Sequence, residues 1–555
     1  MPKSRKSEPV NSAWDSDVRL LAWLASCISV FAFLYYYRFA EILLYGDAIA
    51  HINIARRVFD SRTPGLLQLG TVWLPLPHLL MIPFLISDEM WRSGAGGSIP
   101  SLVAYIFGVI GIFRLTRGVL SNADAQGPAR IAGWTAAFIY AANPNLIYMQ
   151  STAMGEALYL ALIVWAIVYF MEGLRGEAKA LLKCGVCLAA ACLTRYDGWF
   201  LAAVMVVVVL AMRGREVLFG KHSAETPRLR ASALVKFVLI AGSAPALWLS
   251  YNGLVYRNPL EFENGPYSAK AIERKTQSAG NAGHPGSGNP FLAAKYFLKS
   301  AETNAASNKW LQRTWLLLIL ISAVLLAVAY DEVQKKLAGL TLLLLLLPLI
   351  FYALSVAYGG VPIFIPEFWP FTHYNVRYGL YLLPTLSFAG GTLAYGAVRN
   401  NSLRLRLRLA VLAVVIAFVV ISYASIWRTT PICLEEAQVN MRTRNQLQAQ
   451  LAGWLEKLPQ QSTLLMYLGD HVGALERAGI PLRRTINEGN HRVWKQPSDP
   501  EGLWERALAD PPQYADYVVA FEGDPVWEAI RGQHLRELVE IHVSGQPRAI
   551  LYRAR

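Results

Sequence analysis

The chain has 555 residues, 54% of them hydrophobic and 16% charged, where an ordinary soluble domain carries about 25% charged residues. Its apolar residues fall in runs about 20 long, which excludes a string of soluble cores and implies bilayer-spanning helices. The net charge of +14 does not make a nucleic-acid binder, because the basic residues sit in short clusters between apolar runs, the signature of cytoplasmic loops.

Lys3, Arg5 and Lys6 precede the first apolar run. That run, about 19–39, is too long for a signal-peptide core and lacks an A-x-A cleavage site, so it is expected to remain as an anchor with the N-terminus in the cytoplasm. Segment 40–97 follows as a long outer loop holding amphipathic helices that lie along the membrane. It opens with Asp47, one turn before His51, and runs through Arg56 and Arg57 to Trp73-Leu74-Pro75-Leu76-Pro77-His78. The run 72–87 is apolar, but its prolines and His78 make a poor span, and it is read as interfacial or re-entrant.

Parity supports that reading. Further spans are expected near 99–117, 130–148, 156–172, 181–195, 197–212, 233–256, 310–329, 337–357, 376–397 and 409–427, about 11 in all with the first. If 72–87 does not cross, the clusters Arg114/Arg117/Arg130, Arg175/Lys179/Lys183, Arg213/Arg215/Lys221/Arg228/Arg230/Lys236, Lys335/Lys336 and Arg399/Arg404/Arg406/Arg408 all fall inside, as the positive-inside rule requires. Two outer loops stand out: 257–308, polar, rich in Gly, Asn and Ser around Asn281 to Asn289 and expected to be mobile, and the Gly-, Pro- and aromatic-rich 358–375.

After Trp427 the composition becomes that of a soluble domain. An amphipathic helix is expected over 438–457, then short strands near 463–468, 517–521, 538–543 and 549–552. The fold class is therefore an all-α polytopic membrane domain (1–429) with a small C-terminal extracytoplasmic α/β domain (430–555). Of five cysteines, Cys27, Cys184, Cys187 and Cys192 lie in apolar runs and only Cys433 in a polar region, so no disulfide framework is expected. Cys184-x-x-Cys187 sits inside a hydrophobic helix without further ligands and reads as packing.

This topology puts Asp47, Glu156, Arg195-Tyr196-Asp197, and His373 with Arg377 at outer helix ends. Ionisable groups at membrane depth are functional candidates, and their convergence on one face suits a single interfacial active site. Each also has a plainer reading. Glu156 could cap its helix, Arg195 and Asp197 could pair at a turn, and Arg377 could be a snorkelling anchor.

The order of motifs resembles the GT-C membrane glycosyltransferases, especially the branch of protein O-mannosyltransferases and the lipid A aminoarabinose transferase. An acid follows the first helix, then a proline-containing segment, then NPNLIYMQSTAMGE, then NVRYGLYLLP leading a late helix. The resemblance covers roughly 20–430. It implies a polyprenyl-phosphate-linked sugar donor, an acceptor glycan, lipid or protein approaching from outside, and inversion at the anomeric carbon. Asp47 matches the acid that activates the acceptor hydroxyl, Glu156 the second-loop acid, and Arg377 a late Arg for the donor phosphate. WLPLPH departs from the usual His-Pro-Pro-Leu order and leaves the role of His78 open.

The chemistry is consistent with this. A carboxylate can take the proton of an attacking hydroxyl, and a lipid phosphate leaving group needs Arg, Lys or a metal. Arg377 is the first choice, then Arg195, with Arg56 or Arg57 in reserve. Asp47 and Glu156 could hold a divalent cation, although hard-cation sites usually show more carboxylates. His51 and His373 could orient acids, bind substrate, or simply pack. A transporter or flippase of a lipid-linked substrate is the alternative, but transporters place their acids near the midplane, often in repeated helices. In the tail, Asp470, His471, Glu488, Asn490 and His491 could select the acceptor or be ordinary loop residues.

Overall fold

The computed structural model describes residues 15–122, 125–219, 230–278, 283–328, 332–399, 404–490 and 501–555; Lys3, Arg5, Lys6, Lys221, Arg228, Asn281 and His491 lie outside them. Among the described residues, 8 helical segments are long and apolar enough to cross a membrane. They begin with Ser16–Arg38, Ala95–Leu120 and Glu156–Leu174 and end with the segment opening at Leu405. The protein is a polytopic membrane protein. Three further helices occupy positions read as spans, Gln126–Ala141 (16 residues), Ala178–Cys192 (15 residues) and Leu383–Arg399 (17 residues).

The shortening has local causes. Asn143 accepts the backbone N–H of Asn145 and Leu146 and starts a new helix, Pro144–Gln150, at a proline that cannot continue the previous one. The late helix is preceded by a 3-10 turn, Val376–Leu382. Small residues let the interior helices approach closely: a Cβ at Gly391 would lie 2.8 Å from the Ala132 carbonyl oxygen. At one end of the bundle Arg117 binds Asp15 (2.6 Å) and Arg130 binds Asp17 (2.6 Å).

The run 72–87 forms only the helix Leu76–Met81 and the 3-10 turn Ile82–Phe84, too short to span. The expectation for 257–308 is corrected over its second half, where Pro290–Ala305 is a capped helix with Ala293, Phe297 and Ala301 buried at four-residue spacing. Phe297 stacks on Tyr352 with ring centres 4.8 Å apart. Gly379 lets the chain at Val376–Leu382 pack closely on the same helix: a Cβ there would fall 2.3 Å from the backbone of Ser300.

The tail carries one mixed sheet. Its strands are β1 (Leu464–Met466), β2 (Thr485–Ile486), β3 (Tyr517–Phe521), β4 (Arg536–Ile541) and β5 (Ala549–Arg553), in the order β2-β1-β3-β5-β4. β1 pairs parallel with β2 and β3, whereas β5 pairs antiparallel with β3 and β4. The two-residue β2 is too short to show in the sequence pattern. The helix expected from 438 begins at Ile432, and that extra turn and a half carries Cys433 and Glu436 into the buried interior.

Polar contacts hold the sheet-bearing tail on the segment 40–97. Asp60 accepts the backbone N–H groups of Leu482 (3.2 Å) and Arg483 (3.3 Å), and Gln68 donates to the Gly489 carbonyl (2.8 Å). Glu476 reaches across to Asn53, which donates to its Oε2 at 2.6 Å, while Oε1 is buried and, among the described residues, has no hydrogen-bond partner. Burial pushes the Glu476 carboxyl up to about 8. A carboxyl raised on folding holds its proton in the native state after the unfolded chain has lost it, so stability falls as pH rises from the ordinary carboxylate range through 8. Thermal unfolding in detergent should show the melting temperature dropping between pH 5 and 8 in wild type. Glu476→Gln, neutral at every pH, should flatten that drop; an equal slope in both proteins would refute the assignment.

Candidate active site

The candidate acids and bases separate into three groups around one cavity of about 2030 Å³, which the membrane helices and the tail line together. The central group is built on Arg377, one residue into the 3-10 turn. Asn375, in the left-handed region at φ 56°, redirects the chain into that turn. Glu436 secures the entry by accepting the backbone N–H groups of Asn375 (2.9 Å) and Val376 (2.7 Å), donors that a helix start leaves unpaired.

The Arg377 guanidinium is then shared by three carboxylates. Nε donates to Glu156 Oε1 at 3.1 Å, Nη1 to Glu436 Oε1 at 2.9 Å, and Nη2 to Asp47 Oδ2 at 2.6 Å. Glu156 and Glu436 are each 1% exposed, whereas Asp47 is 43% exposed and lines the cavity. Asp47 sits in the first turn of the helix Gly46–Arg57, where the helix dipole favours an anion. Among the described residues nothing binds its Oδ1. One oxygen is therefore held and the other is free to meet a ligand. The buried Glu156 Oε2 also has no hydrogen-bond partner.

Arg195 forms the second group. It donates to Asp197 Oδ1 (3.3 Å) and to the Tyr352 hydroxyl (2.8 Å), which in turn donates to Asp197 Oδ2 (3.1 Å). Its guanidinium lies over the rings of Tyr381 (4.8 Å) and Tyr378 (5.0 Å). Arg377 lies 5.2 Å from the same Tyr378 ring. Two cations thus flank one tyrosine on the cavity wall beside Asp47, and such a pair can receive a doubly charged phosphate.

His51 and His78 form the third. Their ring nitrogens Nδ1 and Nε2 are 2.8 Å apart, and the His51 ring packs 4.7 Å from Trp73. Burial holds both below the ordinary histidine range, and His78 is further depressed by its neighbour. Two rings this close cannot both be cations, and His51 stands one helical turn after Asp47.

Other candidates stand apart. Arg56 faces away from the cavity, bound to Asp60 (2.8 Å), Asp88 and the Leu85 carbonyl and packed 4.8 Å over Trp91, so it fastens the segment 40–97 together. His373 is buried outside the cavity lining, 3.7 Å from Glu435. Arg57 lines the far end of the cavity. A divalent cation shared by Asp47 and Glu156 does not fit, because the Arg377 guanidinium bonds to both and occupies the space between them. Among the described residues no three His, Cys, Asp or Glu side chains converge as ligands.

Sequence reasoning missed Glu436 and Tyr352. The signal for Glu436 was present: Pro431 opens a helix and an acid pair falls in its first turns. Tyr352, in the middle of an apolar run, carries no such mark.

No protein-family model and no curated protein matches the chain. Solved structures do. ArnT from Cupriavidus metallidurans in its apo state aligns with TM-score 0.53 and 14% identity, covering 95% of this chain and 98% of that one. The same protein bound to undecaprenyl phosphate aligns with TM-score 0.52 and 13% identity over the same shares. The apo oligosaccharyltransferase of Archaeoglobus fulgidus gives 0.49 and 13%, covering 92% of this chain and 70% of that one. ArnT, the lipid A aminoarabinose transferase, is a member of the GT-C superfamily, and the architecture of this chain is the GT-C fold.

Proposed function

We propose that this GT-C-fold chain is a membrane glycosyltransferase that moves a sugar from a polyprenyl-phosphate-linked donor to an acceptor hydroxyl, with inversion, on the extracytoplasmic side. The observation that carries the reading is the Asp47–Arg377 pair on the cavity wall beside Arg195. The acceptor oxygen attacks the anomeric carbon while its proton passes to the free Asp47 Oδ1. The bond from that carbon to the phosphate oxygen breaks, and polyprenyl phosphate leaves with the bond pair, its charge met by Arg377 and Arg195. A single displacement needs one base and inverts the centre.

Glu156 and Glu436 hold Arg377 in place, Asp197 and Tyr352 hold Arg195, and the His51–His78 pair backs Asp47. Undecaprenyl phosphate bound to ArnT supports a lipid-phosphate donor here. The basic clusters support a cytoplasmic N-terminus and an extracytoplasmic tail. The body (1–429) and the tail (430–555) build the site jointly, since Glu436 belongs to the tail helix.

Purified protein offered a panel of polyprenyl-phosphate sugars should release polyprenyl phosphate from one of them and hand the sugar to an acceptor. Tight donor binding without release from any member would replace transfer with transport.

A further inference from the structure

The helix Gly46–Arg57 presents one face to the cavity, with Asp47, Ala50, Ile54 and Arg57 spaced three or four residues apart. The base proposed above stands at one end of that face and Arg57 at the other, ten residues on, about 15 Å along the axis. The surroundings of Arg57 differ from those of the other cavity arginines. Arg377 and Arg195 are each already engaged by acids or a phenol, but the Arg57 Nε is buried and, among the described residues, finds no hydrogen-bond acceptor.

Glu488, the acid that acts on it through space, is committed elsewhere. Its two oxygens accept the backbone N–H groups of Leu468 (2.9 Å) and Gly469 (3.1 Å). The tail reaches this end closely: a Cβ on Gly489 would lie 3.6 Å from Arg57 Nη1. Tyr256, Tyr267 and Tyr467 line the same end, from the membrane body, the second outer loop and the tail. A half-buried guanidinium whose Nε is shut from water without an acceptor is costly unless an anion meets the group, and its fork suits phosphate or carboxylate.

We propose that the Arg57 end of the cavity is an acceptor subsite that takes an anionic saccharide, its phosphate or carboxylate seated on Arg57 and its sugar rings on the three tyrosines. The proposal rests on the glycosyltransferase reading and names its acceptor class. The donor cannot supply this anion. Its phosphate is attached to the carbon that reacts beside Asp47, whereas Arg57 leaves the helix about 15 Å further along the axis. The tail then selects the acceptor, since it closes the subsite through Tyr467, Glu488 and Gly489.

The test is calorimetric binding to the full-length protein in detergent, with glucose 6-phosphate, glucuronate and neutral methyl glucoside as probes. Wild type should bind one of the anionic sugars at least about tenfold tighter than methyl glucoside; which one distinguishes a phosphate from a carboxylate acceptor. Arg57→Gln should erase that preference and Arg195→Gln should leave it. Arg57→Lys keeps the charge but not the fork, so it should retain the preference at several-fold lower affinity; it decides the matter alone if Arg57→Gln does not fold. No preference in wild type, a preference that survives Arg57→Gln, one lost instead in Arg195→Gln, or unchanged affinity in Arg57→Lys would each overturn the subsite. No transfer is measured, so a failed donor assay beside a successful binding assay would sink the transferase reading while leaving the anion site.

Discussion

Replacing Arg377 with methionine should destabilise the protein by about 3–5 kcal/mol and abolish transfer, because removing one partner of a buried ionic cluster leaves its charges uncompensated. Here the orphaned partners are Glu156 and Glu436, each 1% exposed. Methionine fills much of the arginine's volume, so cavity formation is a minor part of the loss. Thermal unfolding in detergent measures the first effect and polyprenyl-phosphate release the second. Adding Glu436→Gln to Arg377→Met should recover part of the stability, since one buried charge is then gone while an amide oxygen still receives a backbone N–H at the turn. Transfer should stay lost in the double variant, with neither a cation for the leaving phosphate nor a fixed Asp47. Wild-type stability in Arg377→Met would mean that the acids are neutral or hydrated and that the cluster does not organise the site.

Much of this centre was legible because helix ends can be sorted by charge. Asp47, Glu156 and Arg377 are separated by more than three hundred residues of chain, yet alternation of apolar runs and basic loops puts them at the same ends of their helices. The structure brings all three within hydrogen-bond reach. Where the sequence misled, polarity was mistaken for position. The stretch 257–308 reads as loop on composition, but Pro290–Ala305 hides an apolar stripe beneath a polar average. Glu436 lies beyond the expected boundary at 430 and was not among the candidates, although it completes the Arg377 cluster. Arg56 and Arg57, adjacent in sequence, leave different faces of one helix. Only helical phase separates an arginine that fastens a loop from one that faces the cavity. Helix length erred for a related reason: interior helices such as Leu383–Arg399 can be shorter than a lipid-facing span because their ends are covered by protein.

Asp47→Asn separates chemistry from architecture more cleanly than any change at Arg377. The side chain is 43% exposed, and asparagine keeps an oxygen in place to accept from Arg377 Nη2, whose two buried acids remain. Stability should therefore change by less than about 1 kcal/mol, the scale of an exposed ion pair. What asparagine cannot do is accept the hydroxyl proton as the sugar moves, and loss of a positioned general base costs about 10²–10⁴ in rate. Donor binding should be equal or tighter, since one negative charge has gone from beside the phosphate. Stopped turnover with intact folding and retained polyprenyl-phosphate affinity is thus the expected set, read by release assay, thermal unfolding and calorimetry on one preparation. Near-wild-type release would move the base away from Asp47. Of the two remaining acids Glu436 has both oxygens hydrogen-bonded, so Glu156, with its unpaired Oε2, would be the one to test by Glu156→Gln. Lost release together with lost donor affinity would make Asp47 a binding group, and the proton would have to leave by another route.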